Sequence, residues 1–141
     1  PHVVKEVSDT VIDADFLTKR VPTIDTRYFD EVAQGMRMSV LGGTCRQAAL
    51  PDIEVAGKTG TAQNPHGRDH SAFIGFAPYT DPQIAVCVYV ENGGWGATYG
   101  VPIGSLVIEK YLKGHISPER KHLETRMLES NTILYSGRKV H

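Results

Sequence analysis

The spacing of apolar residues divides the chain into short predicted elements. Two β-prone runs on either side of Ser8-Asp9 predict a hairpin over residues 1–15. Apolar residues then recur at helical spacing and predict a helix over 26–42, which Asp25 or Thr26 can cap and Gly42-Gly43 can end. The apolar positions of this helix are Phe29, Val32, Ala33, Met36 and Val40.

Residues 53–91 alternate in the manner of strands and predict three of them, roughly 54–63, 71–77 and 83–91. The third strand is apolar or aromatic on both faces, so we expect both faces to be covered. Helices are predicted over 102–113, opened by Pro102 and stopped by Gly114, and over 117–129, followed by a tail at 130–141.

Short connections between the strands favour antiparallel pairing, and helices gathered on the faces of such a sheet make an α+β fold. A chain of 141 residues is long enough for one domain with a core. Gly35 interrupts the first helix at a cost of about 1 kcal/mol relative to alanine, which close packing of another backbone would explain.

Charge and composition narrow the choice of partners. Fifteen basic residues face sixteen acidic ones, which gives no reason to expect a nucleic-acid partner. Cys45 and Cys87 are interpreted as small buried hydrophobic residues. His66 and His70 flank a loop, but no third ligand lies nearby in sequence, so neither a metal site nor a cofactor is predicted.

The candidate chemistry lies in the first predicted strand, at the stretch GKTGTAQ. A phosphate-binding loop is rejected, because the position that needs its first glycine is Asp52 and the intervening residues read as strand. Lys58 supplies a cation, Thr59 and Thr61 supply hydroxyl donors, and Gly60 leaves a gap. These residues suit a strand edge that binds an extended peptide ending in a carboxylate.

The combined pattern VAGKTGTAQ, RDHSAFIGFAPY, PQIAVCVYVENGGWG and PIGSLVIEKYL resembles the C-terminal part of class B penicillin-binding proteins, closest to the penicillin-binding protein 2 type of cell elongation. The upstream GMRMSVLGGT also resembles that family. The resemblance runs from about Tyr28 to Leu112. Lys-Thr-Gly is one of three motifs that mark serine acyltransferases of this kind.

The resemblance implies peptidoglycan D,D-transpeptidation, in which a serine attacks the D-alanyl-D-alanine end of a stem peptide and β-lactams acylate the same serine. Lys58 would act in proton transfer near the nucleophile. Thr59 and Thr61 would bind the carboxylate, the Thr61 N–H would serve the oxyanion hole, and Gln63 would continue the strand along the substrate beyond Gly60. It also implies elongation-machinery partners and an extracytoplasmic, periplasmic location through an N-terminal anchor.

Two motifs of the family are missing from the places where they are needed. No Ser-x-Asn occurs, and the only Ser-x-x-Lys begins at Ser136 in the tail, which we interpret as coincidence. We therefore expect the chain to be a fragment without the nucleophile, inactive alone. Its exposed apolar surface and sheet edge would make it self-associate.

Other interpretations stay open at this point. Serine β-lactamases, D-alanyl-D-alanine carboxypeptidases and β-lactam sensors share the Lys-Thr-Gly motif, and a non-catalytic peptide-binding module is an alternative of a different class. Trp95 lies in a glycine-rich loop, where it either lines the rim of the groove or, as we expect, covers a sheet edge or packs on the following helix.

Overall fold

The computed structural model describes residues 23–132, so the predicted hairpin and most of the tail lie outside the described residues. In chain order the elements are α1 (Thr26–Gly42), a 3₁₀ turn (Arg46–Ala48), β1 (Ala56–Ala62), β2 (His70–Ala77), β3 (Ile84–Val90), α2 (Gly100–Lys113), a second 3₁₀ turn (Pro118–Arg120) and α3 (Lys121–Glu129). None of the helices in this described part is long and apolar enough to cross a membrane.

The three strands form one antiparallel sheet in the order β1-β2-β3. Thr59 lies opposite Phe73 and Thr61 lies opposite Ser71, and residues directly opposite each other share a face of the sheet. Helix α2 covers the face that contains Phe73, and α1 packs against β1. The predicted α+β fold is therefore confirmed.

A single buried phenylalanine fixes how closely α2 lies on the sheet. The ring of Phe73 is fully buried, and three glycines surround it. A Cβ atom at Gly57, Gly75 or Gly104 would lie within 2.4–2.6 Å of that ring. Because real Cβ contacts are never that short, glycine at these positions allows strand, ring and helix to pack at native density.

Helix boundaries agree closely with the predicted ones except at two starts. Helix α1 occupies the predicted 26–42, with the Asp25 carboxylate accepting from the Arg27 N–H. Helix α2 begins at Gly100, two residues before Pro102, and ends at Lys113, where Gly114 caps it with a left-handed backbone of φ 78°. The predicted 117–129 helix is divided into a 3₁₀ turn and α3.

The expectation that both faces of β3 are covered is wrong for the described residues. Ala85, Cys87 and Tyr89 are exposed, because no described element packs on the face opposite α2. The burial expected for Cys87 is wrong for the same reason, whereas Cys45 is fully buried. Ile74, on the same open face, is half exposed.

The apolar residues of α1 are also largely uncovered within the described part of the chain. Val40 is buried, but Phe29 and Val32 are exposed. The close backbone contact proposed for Gly35 is wrong, since no described atom outside the local helix lies within 4 Å of a Cβ built there. The apolar residues of α1 recur at helical spacing as predicted, but only the C-terminal end of the helix, at Val40, reaches the core.

Three cations from different elements hold the segment that leads into β1. Arg37 of α1 donates to the Val55 carbonyl at 3.0 Å. Lys113 of α2 contacts the Asp52 carboxylate at 2.7 Å. Arg120 donates to the Ala49 carbonyl at 3.3 Å. The direction of approach to β1 is therefore set by tertiary contacts on both sides.

Arg120 is itself anchored by a buried carboxylate. Its Nε lies 3.2 Å from Oε2 of Glu109, whose side chain is fully buried. Ser105 accepts a hydrogen bond of 2.6 Å from the same guanidinium, and Ser117 donates to Glu109. Burial lowers the pKa of Arg120, and the charge of Glu109 opposes that shift. The pair fastens the start of α3 to α2.

Substitution of Gly104 by alanine should destabilise the protein by about 1–3 kcal/mol, because its methyl would overlap the ring of Phe73, which is fully buried. Gly35→Ala is the matched control in another helix and should stabilise by about 0.5–1 kcal/mol. Urea unfolding measures both. Equal effects of the two substitutions would contradict the packing argument.

The 141-residue chain should self-associate. Within residues 23–132 one face of the sheet displays apolar side chains and the outer edges of β1 and β3 pair with no strand, and such surfaces favour pairing with another copy. Size-exclusion chromatography with light scattering should show dimers that the double variant Ile74→Thr, Tyr89→Thr weakens. Val107→Ala, at an exposed position of α2, is the control. A wild-type monomer at high concentration would refute this expectation.

The pKa of Asp52 lies below the ordinary 3.8, chiefly because the Lys113 ammonium donates a hydrogen bond to its carboxylate. The stabilisation from this pair is therefore present above the unfolded pKa and is lost as the pH falls through the folded one. In a carboxyl ¹³C titration, Lys113→Met should raise the Asp52 midpoint towards 3.8. Lys110→Met, on the same helix, should leave it unchanged; an unmoved midpoint in Lys113→Met would contradict the assignment.

Candidate functional site

The side chains of Lys58, Thr59 and Thr44 meet at one point of β1. The Lys58 ammonium donates to the Thr59 carbonyl at 3.0 Å and lies 3.4 Å from the Thr59 hydroxyl oxygen. The Thr44 hydroxyl lies 2.9 Å from the same oxygen. Thr44 lies directly after the glycine pair at the end of α1. The fold brings its hydroxyl to that of Thr59, which is 15 positions further along the chain. A cation and two hydroxyls in this arrangement can bind a carboxylate.

This cluster lies at the free edge of the sheet, the side of β1 that no strand among residues 23–132 pairs with. Thr59 is opposite Phe73 and Lys58 is opposite Ile74, so their side chains start from opposite faces. They can meet only around the edge of β1 that β2 does not occupy. The Thr59 carbonyl that accepts from Lys58 therefore points outward, and the backbone groups of Thr61, two residues further on, share that orientation.

Thr61 contacts a glycine-rich loop that connects β3 to α2. The Gly96 N–H donates to the Thr61 hydroxyl oxygen at 3.4 Å. A Cβ built at Gly96 would lie 2.5 Å from the Ala72 carbonyl oxygen and 2.6 Å from that of Gly60. Only glycine permits the loop to lie this close to β1 and β2.

Ser71 of β2 holds the same loop through hydrogen bonds. Its hydroxyl, which is fully buried, donates to the Trp95 carbonyl at 2.9 Å and accepts from the Gly100 N–H at 3.0 Å. One hydroxyl thus joins the loop and the first turn of α2 to the middle strand. The site consists of the edge of β1 on one side and this loop on the other.

The remaining predicted substrate-binding residues flank the cluster. Gly60 lies within β1, where an added Cβ would be 3.3 Å from that of Ala72. Gln63 is exposed and follows the last residue of β1. The strand ends there because the Asn64 N–H turns to the Asp69 carboxylate at 3.2 Å and leaves the ladder.

His70 and His66, which were considered as metal ligands, lie in a hydrogen-bonded and an exposed position respectively. The Asn92 N–H donates to Nδ1 of His70, whose ring lies 5.3 Å from that of Tyr89. His66 is exposed in the loop between β1 and β2. Within residues 23–132, no group of three His, Cys, Asp or Glu side chains is arranged to hold a metal ion.

Sequence reasoning missed Thr44, Ser71 and Gly96 as parts of the site. Thr44 belongs to a stretch whose likeness to the family was noted, but nothing in its spacing indicates a contact with Thr59. Ser71 reads as an ordinary strand residue. The expectation that Trp95 packs on an edge or helix is wrong for the described residues, because its side chain is 76% exposed.

Comparison with known proteins gives the same family by three routes. Residues 1–109 match the model of the penicillin-binding protein transpeptidase domain. The peptidoglycan D,D-transpeptidase PbpA of Mycobacterium tuberculosis is 41% identical over 80 residues, 49% of this chain and 16% of the relative. The peptidoglycan D,D-transpeptidase MrdA of Haemophilus influenzae is 29% identical over 143 residues, 86% of this chain and 22% of the relative.

A solved structure agrees with these matches. Penicillin-binding protein A of M. tuberculosis, captured as a ceftriaxone acyl-enzyme, superposes with a TM-score of 0.55 at 32% identity. The superposition covers 61% of this chain and 21% of that one. The chain therefore spans less than a quarter of the length of each of these three proteins.

Proposed function

The chain belongs to the penicillin-binding protein transpeptidase domain family, and on that premise we propose that it forms one wall of a peptidoglycan D,D-transpeptidase active site. The observation that carries the proposal is the Lys58–Thr59–Thr44 cluster at the free edge of β1. Cation, hydroxyls and outward backbone groups suit an extended peptide whose terminal carboxylate lies at this edge.

The residues of the edge have separate roles in the proposed reaction. The hydroxyls of Thr59 and Thr61 donate to the carboxylate of the D-alanyl-D-alanine end. The outward N–H of Thr61 donates to the oxygen on which negative charge develops in the acylation transition state. Lys58 stabilises the charge at the nucleophile and assists proton transfer. The backbone of Gly60 and Gln63 borders the bound peptide.

In the proposed reaction, the nucleophilic serine and the Ser-x-Asn motif are supplied by polypeptide outside this chain. A serine acyl-enzyme forms when that hydroxyl attacks the penultimate carbonyl, the peptide bond breaks, and D-alanine leaves with the transferred proton. An amine of a neighbouring stem peptide then displaces the serine. β-Lactams would acylate the same serine, because their carboxylate and strained amide occupy the positions of the terminal carboxylate and the scissile peptide bond. The ceftriaxone acyl-enzyme of penicillin-binding protein A is a precedent.

The proposed reaction places the site where its substrate is found, on the extracytoplasmic side of the cytoplasmic membrane. An N-terminal anchor on the full-length protein would keep it there, and proteins of the elongation machinery would be its partners. The MrdA and PbpA relatives, both named as peptidoglycan D,D-transpeptidases, support this choice over a β-lactamase or a sensor.

In the full-length transpeptidase, Lys58→Ala should reduce the second-order rate of acylation by a fluorescent penicillin on the order of 100-fold, because the cation beside the nucleophile is lost. Gel fluorescence after timed exposure measures the rate. Lys110→Ala, an exposed lysine of α2, is the matched control and should label as the wild type does. Labelling of Lys58→Ala at the wild-type rate, with an unchanged melting temperature, would remove the role proposed for Lys58.

The 141-residue chain by itself should form no covalent penicillin adduct, because the hydroxyls at the cluster are threonines that bind rather than attack. Intact-mass spectrometry after prolonged exposure checks this directly. A penicilloyl adduct located on Ser136 by peptide mapping would show that the tail Ser-x-x-Lys is a functional motif after all.

A further inference from the structure

A cleft rich in arginine lies between the 3₁₀ turn at Arg46–Ala48 and helix α3, and it shares no residue with the Lys58–Thr59–Thr44 cluster. Its volume of about 390 Å³ is typical of small-molecule sites. None of the described residues that line it is acidic, although the whole chain has a formal net charge of −1. The basic residues that define this arginine cleft are Arg46, Arg120, His122 and Arg126.

Arg120 forms the fixed wall of the arginine cleft. Its Nε contacts the Glu109 carboxylate at 3.2 Å, and its two terminal nitrogens donate to the Ala49 carbonyl and the Ser105 hydroxyl. Because all three nitrogens have partners, the guanidinium is held in one orientation before any ligand arrives. The buried Glu109 carboxylate also balances its charge, so the surplus positive charge of the cleft comes from the other basic residues.

Arg46 and Arg126 supply that surplus charge. Both are exposed, and in the described part of the chain neither side chain has a hydrogen bond or an ion pair. Asp52 and Glu119 adjoin lining residues in sequence, but Asp52 contacts Lys113 at 2.7 Å and Glu119 contacts neither arginine. Two like charges that line one cleft repel each other, so an anion bound between them would be stabilised by both.

We propose that the arginine cleft binds the phosphate group of a phosphate monoester. Two guanidinium charges without a counter-ion match the two negative charges of that group, whereas a single carboxylate or a phosphodiester would neutralise only one. The planar fork of arginine also suits phosphate oxygens, to which it can donate two parallel hydrogen bonds. The site goes beyond the proposed function, because neither its residues nor its ligand belong to the proposed transpeptidation.

The same cleft provides a surface for the organic part of the ester. Ala49, Pro51 and Leu123 line it beside the basic residues, and Leu123 is buried within the second hydrophobic cluster. A ligand with an apolar group next to its phosphate can therefore bury that group against these side chains. We accordingly expect an aromatic monoester to bind more tightly than inorganic phosphate.

Isothermal titration calorimetry of the full-length protein with phenyl phosphate tests the site, at about pH 8, where the phosphate carries two charges. Arg46→Gln and Arg126→Gln should each weaken binding about five- to tenfold, because each removes a charge-assisted hydrogen bond at an exposed position. Arg68→Gln removes the same charge from the exposed loop between β1 and β2 and is the matched control, with no expected effect. Unchanged affinity in both cleft variants, with unchanged melting temperatures, would overturn the proposal.

Two further comparisons keep the test independent of how the variants fold. Phenyl sulfate has the size of phenyl phosphate but only one negative charge, so the wild type should bind it about tenfold more weakly. Equal affinity for the two ligands would overturn the match to a dianion. Thr59→Val should bind phenyl phosphate as the wild type does, and loss of binding there would move the anion to the edge of β1 and refute a site in the cleft.

Displacement of phenyl phosphate then distinguishes the two sources of a phosphate monoester, a soluble metabolite and a lipid headgroup. Glycerol 3-phosphate and dihexanoyl phosphatidic acid share the group and differ only in two acyl chains. Tighter binding of the lipid would support a headgroup site, and equal or weaker binding would support a site for soluble esters. Failure of both compounds to displace phenyl phosphate would overturn the assignment to phosphate monoesters.

Discussion

The close contact between α2 and the sheet, made possible by glycines around Phe73, is the constraint on which the site depends. Gly57, Gly75 and Gly104 surround the ring, so the helix lies against β2 without an intervening layer. Because α2 lies this close to the sheet, the Gly100 N–H can donate to the Ser71 hydroxyl, and the loop before α2 lies against β1. The geometry beside Thr61 is therefore a consequence of core packing as well as of the motif itself.

Charged side chains also determine the position of β1. Arg37, Lys113 and Arg120 hold backbone or side-chain oxygens of the segment that enters β1, and buried Glu109 fixes Arg120. Removing one partner of a buried ion pair leaves an uncompensated charge, which costs about 3–5 kcal/mol. The pair thus links the C-terminal helix to the strand that presents the binding groups, although it lies away from the edge itself.

The open surfaces agree with a structure that continues beyond these elements. One face of the sheet and much of α1 display apolar side chains, which in a folded domain are normally covered. Under the proposed function, the nucleophile would also come from polypeptide outside the chain. A site divided in this way would let β1 remain an edge strand, with its outward backbone groups available to a peptide.

The sequence by itself determined the elements and the chemistry of β1, because helix and strand periods, caps and the Lys-Thr-Gly stretch are local properties. It did not reveal which faces are covered: β3 is apolar on both sides, yet Tyr89 is exposed, since burial depends on what packs there. Only the tertiary structure decided that Thr44 meets Thr59, that Gly96 lies on Thr61, and that Ser71 holds the Trp95 loop. These contacts join residues 15 to 35 positions apart, and no short-range pattern encodes how the chain returns to bring them together.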